Sequence, residues 1–233
     1  NKATFLFSSG MVVVIAVMLS VAAISLGPYQ ARNVRIEKME NILTSVGIES
    51  EPKTAEKIFT QYITEQVVLN NKGELQTGSI VAFDIDLKKE LDKSKTGKQD
   101  KQLFPLFICK KDGESFYIIP MRGKGLWGPI WGYIALEGDM NTIAGVSFGH
   151  KGETPGLGAE IETAKFQNQF IGKKILDEQG NFVSVKVVKG SGTASNIHGV
   201  DAVSGATITS DGVTEMFHRT LENYIPYFKK TKP

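Results

Sequence analysis

LFPLFICKKDGESFYIIPMRGKGLWGPIWGYIALEGDMNTIAGVSF, residues 103–148, is the stretch that decides the fold. It holds four short apolar runs, at 103–109, 115–120, 130–136 and 143–148. Lys111-Asp112-Gly113 and Gly138-Asp139-Met140-Asn141 punctuate two of the junctions with turn residues. The pattern predicts an antiparallel sheet, since tight turns join antiparallel neighbours. Downstream the period changes. Phe166, Phe170 and Ile171 mark a helix over about 163–172, residues 182–189 alternate as a strand, and 191–195 form a loop of small residues. Val213, Met216, Phe217, Thr220, Leu221 and Tyr224 fall on one face of a helix predicted over 212–228, with Ser210 or Asp211 as its N-cap. Strands followed by helices, without regular β-α alternation, predict an α+β fold.

Upstream, residues 84–101 are charged without a strong apolar period and read as a solvated loop or broken helix. Residues 67–77 have strand-like ends around Asn70-Asn71-Lys72-Gly73, a hairpin signal. One helix is predicted over 54–66, turning Ile58, Phe59, Tyr62 and Ile63 inward. Another is predicted over 29–46 after Pro28, with Val34, Met39, Ile42, Leu43 and Val46 on its apolar side and Gly47 to end it. Residues 5–26 are uncharged and mostly apolar, long enough at about 1.5 Å per residue to cross about 30 Å of hydrocarbon. A signal peptide would have a shorter apolar region and an Ala-x-Ala-like cleavage site, of which Ala22-Ala23-Ile24-Ser25 is a poor version; a retained anchor is expected. The chain thus divides into 1–27, a transmembrane anchor, 28–102, a helical stalk and accessory lobe, and 103–233, the main soluble domain. Lys2 on one side and Arg32, Arg35 and Lys38 on the other favour a cytoplasmic soluble part, although the sequence opens on Asn1 and further flanking residues are expected upstream.

A net charge of +2 over 233 residues gives no argument for nucleic acid. The single cysteine, Cys109, excludes an intrachain disulfide and a cysteine metal cluster and is read as a buried small hydrophobe. His150, His198 and His218 are widely spaced without a paired-ligand motif, so no metal site is expected.

Three loops remain. Asp201-Ala202-Val203-Ser204-Gly205-Ala206-Thr207 sets a threonine hydroxyl among small residues just ahead of the 212–228 helix. A helix N-terminus attracts phosphate, and Gly205 and Ala206 let a planar group or another protein approach the backbone. Read from its residues alone, the segment either holds a phosphorylated ligand near Thr207 or is a turn that caps a helix. His150-Lys151-Gly152-Glu153-Thr154-Pro155-Gly156-Leu157-Gly158 is a rigid loop of little side-chain bulk, by composition a surface turn. In it Glu153 would cap the following helix or pair with a lysine, and His150 reads as a structural histidine. Gly123-Lys124-Gly125-Leu126-Trp127-Gly128 matches the dinucleotide fingerprint but lacks the helix that motif needs, because Pro129 and a strand follow. Its glycines shape a turn presenting Leu126 and Trp127, whereas Trp131, inside a strand, reads as core.

These loops carry a resemblance. Asp-x-x-Ser-Gly-Ala-Thr at 201–207 resembles the flavinylation motif of bacterial membrane redox subunits. The 150–158 loop, and Gly123-Lys124-Gly125-Leu126-Trp127 followed by Gly132-Tyr133-Ile134-Ala135-Leu136, are similar to two further signatures of the C-subunit family of sodium-translocating NADH:quinone oxidoreductases. The resemblance covers most of the chain and is weakest from 49 to about 103. It implies that 103–233 is an FMN-binding domain and that Thr207 carries FMN as a phosphoester, left there by a separate flavin transferase that cleaves FAD. Asp201, Ser204, Gly205 and Ala206 would be the recognition context. Thr154, Gly156 and Leu157 would contact the flavin, and Trp127 would lie beside its ring. The chain itself would supply no catalytic residue and no metal. Electrons would pass from an iron centre between membrane subunits to a second FMN on a neighbouring subunit. The implied partners are the other subunits of a membrane redox pump, the transferase, and membrane lipid through one helix. The implied place is the periplasmic side of a bacterial inner membrane, against the charge count. Two alternatives stay open. The G-subunit of the Rnf electron-transport complex shares the attachment motif and the Thr-Pro-Gly-Leu-Gly loop, and Gly128-Pro129-Ile130 is similar to a run in it. A non-redox binding domain anchored at the cell envelope would carry no flavin.

Overall fold

The computed structural model describes residues 2–190 and 195–231, so the 191–195 loop lies almost wholly outside the described residues. Helix α1 (Lys2–Thr44) is one rod of 43 residues with Pro28 inside it. Separate helices on either side of Pro28 were expected. Proline removes the bond to the carbonyl four residues back and crowds that carbonyl, yet helical bonding continues on both sides of Pro28. The apolar part of α1 is long enough to cross a membrane by length and composition. Its far end is clamped to the soluble part. Met39, Ile42 and Leu43 are buried, and Arg35 and Lys38 stack their cations on the Phe83 ring at 4.6 and 4.4 Å.

Five antiparallel strands follow in the order of the chain: β1 (Ile63–Leu69), β2 (Phe104–Lys111), β3 (Glu114–Lys124), β4 (Pro129–Leu136) and β5 (Ile143–His150). The last four are the runs expected from 103–148. Alternate side chains serve two faces. Phe107, Cys109, Ile118 and Ala135 pack under α1 and helix α2 (Ala55–Tyr62), and Leu106, Ile119, Ile134 and Phe148 join a larger core on the other side. The helix expected over 54–66 ends at Tyr62. Ile63 satisfies the helical stripe locally, but pairing Ile63 with Cys109 and Leu69 with Phe104 turns the β-branched run into an edge strand. Asn70 Oδ1 then accepts the N–H groups of Lys72 and Glu74, which closes the turn expected there. Part of the charged stretch forms α3 (Leu87–Lys95), capped by Asp86 through the N–H groups of Lys88 and Lys89.

The second face is covered by segments less regular than expected. The predicted 163–172 helix shrinks to α4 (Ala164–Gln167), between the short 3-10 turns Gly158–Glu162 and Asn168–Phe170. Of the strand expected over 182–189 only β6 (Lys186–Val188) is regular, paired in parallel with β7 (Gly199–Asp201). Helix α5 (Thr207–Glu222) starts five residues before its expected position, and α6 (Ile225–Thr231) follows a break at Asn223 and Tyr224. Ser210 and Asp211 therefore lie inside α5 instead of capping it, because Thr209 and Ser210 extend its buried stripe backwards. Val213, Met216, Phe217 and Leu221 fill the core, and the buried Tyr224 hydroxyl donates to the Pro105 carbonyl at 2.7 Å.

Helix α5 meets β3 almost backbone to backbone. A side chain at Gly212 would collide with the carbonyl oxygen of Lys124, an atom held by the sheet. Gly212→Ala is expected to destabilise the domain by about 1–3 kcal/mol, the usual range for overpacking, despite alanine's better helix propensity. Thermal unfolding of the two proteins side by side checks this.

Candidate functional site

Three loops converge at one end of the sheet. The β3–β4 turn is closed by the Gly125 N–H donating to the Gly128 carbonyl at 2.8 Å, and it presents Leu126 and Trp127, 48% and 68% exposed. The glycines at 123, 125 and 128 thus serve a strand–strand turn, not a strand–helix phosphate loop. The second loop leaves β5 at His150. Inside it the Leu157 and Ala159 N–H groups donate to the Thr154 carbonyl at 3.1 and 3.2 Å, and the Gly156 N–H donates to Glu160 Oε1 at 3.1 Å. The third loop leads from β7 into α5.

Glu153 joins them. It is 4% exposed. Its Oε1 accepts the Trp127 N–H at 2.8 Å, its Oε2 accepts the Thr209 hydroxyl at 2.5 Å, and its own N–H donates to His150 Nδ1 at 3.1 Å. Gly125 and Gly158 press on the carboxylate from two sides, and a side chain at either would strike it. Burial pushes this carboxyl up, but the Thr209 hydroxyl, the Trp127 and Leu126 amides and the nearby His150 together hold it below the usual glutamate range. Sequence reading assigned Glu153 to a helix cap or a lysine pair. The structure makes it an internal bracket instead, because Gly125 of the β3–β4 turn and Gly158 at the end of its own loop leave a space that this carboxylate fills. His150 has the structural part expected of it: its backbone N–H donates to Glu162 Oε1 at 3.0 Å, and its Nε2 lies 3.7 Å from Glu162 Oε2.

Thr207 is the first residue of α5, and its side chain faces outward. Ala206 holds the cap position and gives the first turn no side-chain bond; the Ser210 N–H to the Ala206 carbonyl, at 2.9 Å, begins the helical ladder. The earlier N–H groups of such a turn have no partner within the helix. Gly205 has φ +75°, and a side chain there would meet Leu157 at 2.7 Å, so the 201–207 loop and the Thr-Pro-Gly-Leu-Gly loop touch through a glycine. Ser204 is exposed and Ala206 buried. Asp201 exchanges backbone bonds with the Gln169 side chain, its N–H donating to Gln169 Oε1 at 2.9 Å.

Beside this loop opens a cavity of about 950 Å³. Gly156, Asp201 and Ser204 line it, together with Phe166, Gln169 and Ile197, which sequence reading did not assign to a site. Those three come from helix α4, the 3-10 turn after it and the loop before β7, whose convergence no local pattern announces. Trp127, Thr154, Leu157 and Thr207 stand outside the cavity lining. Thr154, Leu157 and Thr207 are exposed, like Trp127.

Comparison with known proteins bears on this arrangement. The family described as FMN-binding domain matches residues 125–222, from the β3–β4 turn to the end of α5. The C-subunit of the Na(+)-translocating NADH-quinone reductase of Vibrio vulnificus is 34% identical over 219 residues, covering 89% of this chain and 86% of that protein. The protein of the same name from Neisseria meningitidis is 36% identical over 246 residues, with 97% and 95% covered. Among solved structures, the corresponding protein from Parabacteroides distasonis superposes with a TM-score of 0.76 at 40% identity, covering 87% of this chain and 96% of that one. NqrC of Shewanella oneidensis gives 0.71 at 28% identity, with 84% and 98% covered.

Proposed function

This chain belongs to the C-subunit family of the Na(+)-translocating NADH-quinone reductase, and we propose that it carries one FMN, esterified through its phosphate to Thr207, and relays electrons within such a complex. Family membership answers the Rnf alternative. The observation that carries the covalent reading is the position of Thr207: an exposed hydroxyl on the uncapped first turn of a 16-residue helix, next to the cavity edge at Ser204. Unpaired first-turn N–H groups and the positive end of the helix dipole favour a phosphate there. The cavity lies within the range of about 300–1,000 Å³ usual for cofactor sites, and Phe166, Ile197 and Val200 give it apolar walls beside the Gln169 amide.

In this reading the Thr207 oxygen bonds to the FMN phosphorus of FAD, the pyrophosphate bond breaks, AMP leaves and the hydroxyl proton goes to solvent. A threonine hydroxyl is a weak nucleophile unaided, so its activation belongs to the separate transferase. Asp201, Ser204, Gly205 and Ala206 present Thr207 to that enzyme, with the left-handed Gly205 turning the chain outward. Thr154, Gly156 and Leu157 offer backbone and side-chain contacts along the flavin, and Trp127 stands at the rim. Bound FMN supplies reversible electron transfer, while the chain tethers, orients and shields it. Residues 1–27 anchor the chain in the bacterial inner membrane, 28–102 form the stalk and accessory lobe, and 103–233 hold the flavin on the periplasmic side. Electrons arrive from an iron centre of partner membrane subunits and leave to a second FMN. Mass spectrometry of the Thr207 peptide from natively produced chain is expected to show FMN less one water, with a fluorescent band in a denaturing gel. An unmodified peptide and a dark band would refute the covalent reading.

A further inference from the structure

The site can be placed along the axis of α1. Ser147 Oγ donates to the Asn41 carbonyl at 2.8 Å, and a side chain at Gly145 would lie 2.6 Å from the Ser45 carbonyl. As β5 advances two residues, the contact moves back four, from Ser45 just past the end of α1 to Asn41 within it: about 6–7 Å along a strand against about 6 Å along a helix. The strand therefore runs antiparallel to α1, and its His150 end points back toward the apolar segment. His150 pairs with Ile130, and Lys124 pairs with Pro129, so the β3–β4 turn projects furthest in that direction. From Ser147 to the tip is roughly 17 Å of strand and turn. Counted back from Asn41 along the helix, with a moderate tilt between strand and helix, the tip stands level with residues 30–32. The apolar run ends at Leu26, roughly 6–9 Å away along the axis. That puts the tip's backbone at the outer margin of the headgroup layer, about 5–7 Å on each side of the hydrocarbon, with that layer in reach of its side chains.

The turn has the composition of that layer. Leu126 and Trp127 extend into solvent from a backbone fixed by the Gly125–Gly128 bond and by Glu153. Lys124 and Lys151 are both exposed, and Lys151 lies against Gly128. An indole whose rim is polar, an aliphatic neighbour and flanking ammonium groups suit the interface between acyl chains and lipid phosphates. We propose that the Leu126–Trp127 turn is a membrane-surface contact, resting in the headgroup layer of the same bilayer that α1 crosses, with Lys124 and Lys151 against lipid phosphates. The flavin-bearing end of the domain then faces the membrane, one face of Trp127 toward the site and the other toward lipid. The inference rests on α1 spanning the bilayer and is independent of covalent attachment.

The sequence contains two tryptophans, so Trp131→Phe leaves Trp127 as the sole reporter. The full chain with this change, produced without the transferase so that no flavin dims the emission, is reconstituted into phosphatidylethanolamine–phosphatidylglycerol vesicles with and without brominated acyl chains. Blue-shifted emission in plain vesicles and its loss in brominated ones are expected. A companion chain with both native tryptophans changed to Phe and Met18→Trp reports on α1. Loss of the Met18→Trp signal with unchanged Trp127 emission overturns the contact, and unchanged emission from both removes its premise. Should Trp131→Phe not fold, a nitroxide on Leu126→Cys, Cys109 being buried, gives the same depth from its accessibility to oxygen against an aqueous nickel chelate. Preferential access to nickel would sink the proposal.

Discussion

Thr207→Ala, coexpressed with the flavin transferase, is expected to emerge colourless, with the flavin adduct lost entirely and its thermal stability unchanged. No neighbouring hydroxyl can substitute. Thr209 is buried and donates to Glu153, Ser210 is buried inside the helix, and Ser204 lies ahead of the Gly205 turn. Stability should hold within about 0.5 kcal/mol, the ordinary range for a surface change away from caps and cores, because Thr207 is exposed and the cap position is held by Ala206. Thr207→Ser keeps an oxygen at the same place and should retain a partial adduct. In-gel fluorescence and intact mass read both variants, alongside melting curves. A flavin persisting on the alanine protein would shift the attachment to another residue and undo the assignment.

Glu153→Ala is expected to do the opposite, damaging the fold together with the site. The change leaves the half-buried Trp127 N–H and the buried Thr209 hydroxyl without their acceptor. At about 1–3 kcal/mol for each stranded group, the loss is roughly 2–6 kcal/mol, and the first turn of α5 is no longer fixed against the β3–β4 turn. Flavinylation should fall with it. Glu153→Gln preserves shape and one acceptor and should lose less. The two differ most with pH. In the folded chain this carboxyl is held below its ordinary value by the bonds it accepts, which outweigh burial. Its stabilisation is therefore complete at pH values above the unfolded carboxyl's range and fades as pH falls below about 4, through the folded value. Melting temperature against pH should show this acid loss in the native chain and a shallower one in Glu153→Gln. Equal slopes would mean that the carboxylate charge contributes nothing.

What was legible in the sequence had local causes. The four central strands announced themselves through turn residues at 111–113 and 138–141 and through apolar runs of strand length. The core stripe of α5 was readable from Val213 to Leu221 for the same reason. Strand β1 was not, because Ile63 fits a helix face and a strand equally well and only its partner Cys109 decides. The start of α5 was misplaced because Ser210 and Asp211 look like caps, while the true cap position holds an alanine whose side chain offers nothing. The parallel β6–β7 pair joins two three-residue strands across a loop, a length too short to register as a pattern. In the site, motifs and resemblance singled out Thr207, Thr154 and Leu157, and the contact between Leu157 and Gly205 brings those loops together. The bracket made by Glu153 was hidden, since it exists only where Gly125, Gly158 and Thr209 arrive from three separate segments.

The unbroken passage of α1 through Pro28 has a consequence for how this chain can vary in length. Each residue added to or removed from the exposed stretch between the apolar run and Arg35 would shift everything beyond it by about 1.5 Å and turn it by about 100°. A surface loop absorbs such changes; a continuous helix transmits them whole. Single-residue indels there would swing the whole soluble part to another azimuth about the α1 axis. The segment works as a screw thread, setting altitude and bearing together.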